Sequence, residues 1–139
     1  MGTTIRPELS EKNQYWIDRH RYYELKHFCM QYPIWKKLYL MLESWGKKPG
    51  DLGYISKMNG YSDPTAKSAV DKAYFSERIE MVERAAKDAD PELACYILKG
   101  VTEGVSYDYL KARLEIPCCK DTYYDKYRKF FWILSKKRN

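Results

Sequence analysis

Apolar residues recur at helical spacings along most of the chain, and proline, glycine and capping residues divide that pattern into segments. From about residue 10 to 31, Tyr15, Tyr22, Leu25 and Cys29 make one stripe, and Trp16, Tyr23, His27 and Met30 make a second beside it. Together they predict a helix with a broad apolar face, with Asp18, Arg19, Arg21, Glu24 and Lys26 mostly outside it. Pro33 has no N–H to donate and disfavours helix at Tyr32, so a second helix should start there. That helix is expected to run to about Trp45, to bury Ile34, Leu38, Met41, Leu42 and Trp45, and to stop at Gly46. Residues 46–62 hold four of the seven glycines and no sustained period, which reads as a linker or exposed loop. Asp63 and Pro64 then signal a helix start, the acid accepting from free N–H groups and the proline filling a position whose N–H would be unpaired. Phe75, Ile79, Val82, Ala86 and Ala89 follow at alternating steps of four and three, with Ser76 a place for a bend. Asp90 and Pro91 repeat the signal, opening a helix through Leu93, Tyr96, Ile97 and Val101 that ends near Gly104.

Residues 103–136 read as a short helix, a turn and a second helix. Ser106 is placed to cap the first of these, and Asp108 complements the positive end of its dipole. Val105, Leu110, Leu114 and Ile116 are expected to bury toward the second helix, where Tyr123, Tyr127, Phe130 and Leu134 form the facing stripe. Opposite them lie Asp121, Asp125, Arg128, Lys129, an exposed Trp132 and Lys136, with Thr122 and Lys126 at the margins. No alternating β pattern occurs. The expected fold is all-α, about six helices with a C-terminal helix-turn-helix, divided at the linker into segments 1–62 and 63–139.

Charge sharpens this picture. Residues 105–139 hold nine basic and four acidic side chains, a net +5, while the chain as a whole carries +6. Lysines and arginines gathered in this way suit a polyanion, because placing them at phosphates releases condensed counterions. A hydrophobic content of 45% argues against disorder, and fourteen tyrosines with four tryptophans offer rings that pack on one side and hydrogen-bond on the other. No apolar run is long enough to span a membrane and the N-terminal residues lack a signal-peptide core, so a cytoplasmic protein is expected, with Cys29, Cys95, Cys118 and Cys119 reduced. His20, His27, Cys29, Cys118 and Cys119 include no two separated by the two to four intervening residues of paired zinc ligands, so partly buried histidines and core cysteines are expected instead of a metal site. With no phosphate loop, nucleophile elbow or HExxH either, neither an enzyme nor a cofactor is expected.

The stretch YILKGVTEGVSYDYLKARLEIP resembles region four of bacterial sigma factors and their relatives through Glu103, Gly104, Val105, Ser106, Tyr107, Asp108, Leu110, Leu114, Ile116 and Pro117. The match covers about the last 45 residues. The N-terminal HRYYELKHFCMQYPIWKK and the ending RKFFWILSKKR also look like small prophage and mobile-element proteins of Gram-positive bacteria, several of them transcription regulators. The resemblance implies a cytoplasmic DNA-binding regulator whose recognition helix follows Pro117. Its double-stranded DNA contacts would fall among Ser106, Lys120, Thr122, Asp125, Lys126, Arg128 and Lys129. Lys126, Arg128 and Lys129 are expected at phosphates or guanines, and Lys120 and Thr122 at base edges. Two positions depart from the pattern, since Lys111 stands where a small residue is usual and Glu115 where glycine allows a left-handed backbone. Together with a slightly long step from Ile116 to Tyr123, they predict a looser turn. The alternative is a protein-interaction module docking on RNA polymerase or another protein without direct DNA readout, since Asp121 and Asp125 lie on the same face and aromatic side chains favour protein contacts. A homodimer through the aromatic N-terminal helices is a further candidate.

Overall fold

The computed structural model describes residues 13–46 and 64–138, and among these it is all-α with no strand. The helices are α1 (Arg19–Met30), α2 (Tyr32–Gly46), α3 (Pro64–Ala89), α4 (Ala94–Glu103), α5 (Tyr107–Leu114) and α6 (Lys120–Lys137).

α1 starts later than residue 10, because two side chains take over backbone donors upstream of it. Asn13 accepts the Tyr15 N–H on its side chain (2.7 Å) and the Trp16 N–H on its carbonyl (3.0 Å), closing a turn. Asp18 is extended and accepts the His20 N–H at 2.9 Å, which makes it the N-cap. Tyr15 and Trp16 therefore precede the helix. Tyr22, Leu25 and Cys29 are buried as their spacing predicts, but Tyr23, His27 and Met30 are not, and Phe28 and Ile17 are the additional inward side chains. Only Cys29 among the cysteines is buried, with Cys95 and Cys119 exposed.

α2 begins at Tyr32 and is described as far as Gly46, and its buried side chains include Tyr32, Trp35 and Leu42. Ile34 (58% exposed) and Leu38 (36%) lie outside, and Met41 is half-buried. The Trp45 side chain, the linker beyond Gly46 and the cap at Asp63 lie outside the described residues, and α3 starts at Pro64. It runs without interruption through Ser76, with Phe75 and Ile79 half-buried and Val82, Ala85, Ala86 and Ala89 buried. Asp90 accepts the N–H groups of Glu92 (2.9 Å) and Leu93 (3.2 Å), so a turn intervenes before α4 opens at Ala94. Gly104, at φ 72°, ends α4 in the left-handed conformation that glycine adopts without steric cost.

By its contacts the chain groups otherwise than at residue 62. The described parts of Met1–Gln31 and Met81–Asn139 form one body, and those of Tyr32–Glu80 form another. In the first, α1 packs on α4 and α6, and α4 also meets α5. Its core joins Tyr22, Leu25 and Phe28 of α1 with Val82, Ile97, Leu110, Phe130, Phe131 and Leu134. Arg21 ties α1 to the end of α6, donating to the Ser135 hydroxyl (3.0 Å) and carbonyl (2.8 Å) and to the Arg138 carbonyl (3.5 Å), while the Arg138 guanidinium lies 4.1 Å from the centre of the Phe28 ring. In the second body the Lys72 ammonium approaches both the Tyr39 ring (5.9 Å) and Glu43 (4.0 Å), joining α2 to the first half of α3.

Candidate nucleic-acid interface

α5 and α6 are set by the residues around the turn between them. Ser106 is extended and accepts the Tyr109 N–H at 3.1 Å, so the short α5 starts on a side-chain cap. At its other end Glu115 takes φ 52° and ψ 48°, and the N–H groups of Glu115 and Ile116 both turn back onto the Leu110 carbonyl. The glutamate thus adopts the left-handed turn expected of glycine. Tyr107 then donates its hydroxyl to the Cys118 carbonyl at 2.6 Å, fixing the far side of the turn. Because the chain reverses at Glu115, Ile116 points inward and Leu114, expected in the core, is 39% exposed.

α6 opens after Cys119, whose thiol lies 3.2 Å from the Thr122 hydroxyl. That hydroxyl, with the Thr122 backbone N–H, lowers the Cys119 pKa, whereas burial raises that of Cys118. Tyr123, Phe130, Phe131 and Leu134 face inward. Phe131 falls outside the stripe that the spacing predicts. It is packed edge-on against Tyr22 (5.1 Å) and Tyr127 (5.0 Å), because the core extends on the α1 side. Tyr127 is half-buried and its hydroxyl lies 3.1 Å from that of Tyr22, with its pKa pushed well up, chiefly by burial. Tyr123 fits against Gly100 of α4, where an added Cβ would collide with the phenol oxygen. That oxygen is buried and has no hydrogen-bond partner.

Thr122, Asp125, Lys126 and Lys129 share the outer side of α6, Thr122 exposed and the other three half-buried. Lys120 is half-buried at its first turn, and Ser106 stands apart at the head of α5. Arg128 is largely covered, with a side chain only 17% exposed and an unpartnered buried Nε, and its guanidinium lies 4.0 Å from the Asp125 carboxylate. Trp132 is half-buried, not exposed, set edge-on to Tyr15 (5.5 Å) with the Lys136 ammonium 3.5 Å from its ring centre. Two basic side chains that the motif did not single out as contacts, Lys111 and Arg113, are exposed in the last turn of α5, and only the charge count pointed to them. Among the described residues no three His, Cys, Asp or Glu side chains gather as a metal site, and no helix is long and apolar enough to cross a membrane. Compared with protein-family models, curated proteins and solved structures, the chain matches none.

Proposed function

We propose that the chain binds duplex DNA through α5 and α6, with the first turns of α6 entering the major groove. The support is one arrangement: a side-chain-capped α5, a left-handed turn at Glu115, and an α6 whose outer side carries Thr122, Lys126 and Lys129 while its inner side buries aromatic side chains. Lys120, Lys126 and Lys129 supply phosphate contacts, joined from α5 by Lys111 and Arg113. Thr122 offers a hydroxyl to base edges, and the covered Arg128 acts by positioning. A role in transcription, and a prophage or mobile-element origin, rest on the sequence resemblance alone.

Replacing Lys120, Lys126 and Lys129 by alanine is expected to leave helix content unchanged. It should weaken binding to duplex DNA about tenfold or more and flatten the dependence of log affinity on log salt by about 2 to 3. Fluorescence anisotropy across a salt series reads both quantities, and unchanged binding by a folded triple variant rejects the proposal. A second reading is favoured by Asp121 and Asp125, which set carboxylates among those lysines. On it, this face docks a protein such as RNA polymerase. Association with the polymerase that persists at high salt, without duplex binding, would support that reading.

A further inference from the structure

We draw no further inference here: the strongest candidate, the outward apolar stripe of α2 formed by Ile34, Leu38 and Met41, carries nothing because nothing in the structure shows what covers it.

Discussion

Tyr123 and Gly100 show how closely two side-chain choices are coupled where α4 and α6 cross. The Tyr123 phenol is desolvated without a hydrogen-bond partner, and burial pushes its pKa well up. Tyr123→Phe is therefore expected to raise stability by about 1 kcal/mol, since it removes an unpaired buried hydroxyl at little cost in packing. Gly100→Ala alone should be destabilising, because the new methyl meets that oxygen. In the Tyr123→Phe background the nearest ring atom is 3.5 Å away, an ordinary contact, and the same alanine should instead add up to about 1 kcal/mol of helix propensity. Denaturant melts of the two single variants and the double variant measure this reversal, and additive effects would refute it. The spacing of Tyr123, Phe130 and Leu134 revealed which side of α6 is buried. The close approach at Gly100 was not legible, because it belongs to the crossing of two helices and not to the period of either.

The elements themselves were legible where a local signal decides them. Pro33, Ser106 and Gly104 mark the ends or caps of helices that the structure contains. Choosing between two adjacent stripes was not, because α1 and α2 are apolar over more of their circumference than they bury, and tertiary packing makes the choice. Leu114 departs from its expected burial for a different reason, since the reversal at Glu115 takes the chain away before that side chain can reach the core. Leu114→Ala should accordingly cost less than about 1 kcal/mol, whereas Leu110→Ala should cost about 2 to 5 kcal/mol, and thermal melts of the two variants measure the difference. Glu115 sits in a conformation that costs an ordinary residue about 1 to 2 kcal/mol. Glu115→Gly is thus expected to raise the melting temperature even though it widens the unfolded ensemble, and a lowered melting temperature would show that the turn is not strained.

Over the whole molecule, the glycine-rich linker suggested a boundary at residue 62, but contacts join α1 to the C-terminal helices. Linker composition is a local property and says nothing about which distant surfaces meet. A fragment of residues 81–139 lacks Tyr22, Leu25 and Phe28, and at about 60 residues it has little margin to lose them. It should unfold without a sharp thermal transition. A cooperative melt like that of the full chain would show that α1 is dispensable. The Arg21 tie adds a matter of timing, since Arg21 and Ser135 are 114 residues apart in sequence. At about 5 to 20 residues per second, translation delivers Ser135 roughly 6 to 23 seconds after Arg21. Through that interval the nascent chain holds the apolar side of α1 without its final cover, so chaperone capture should concentrate on α1 and end when α6 emerges from the ribosome.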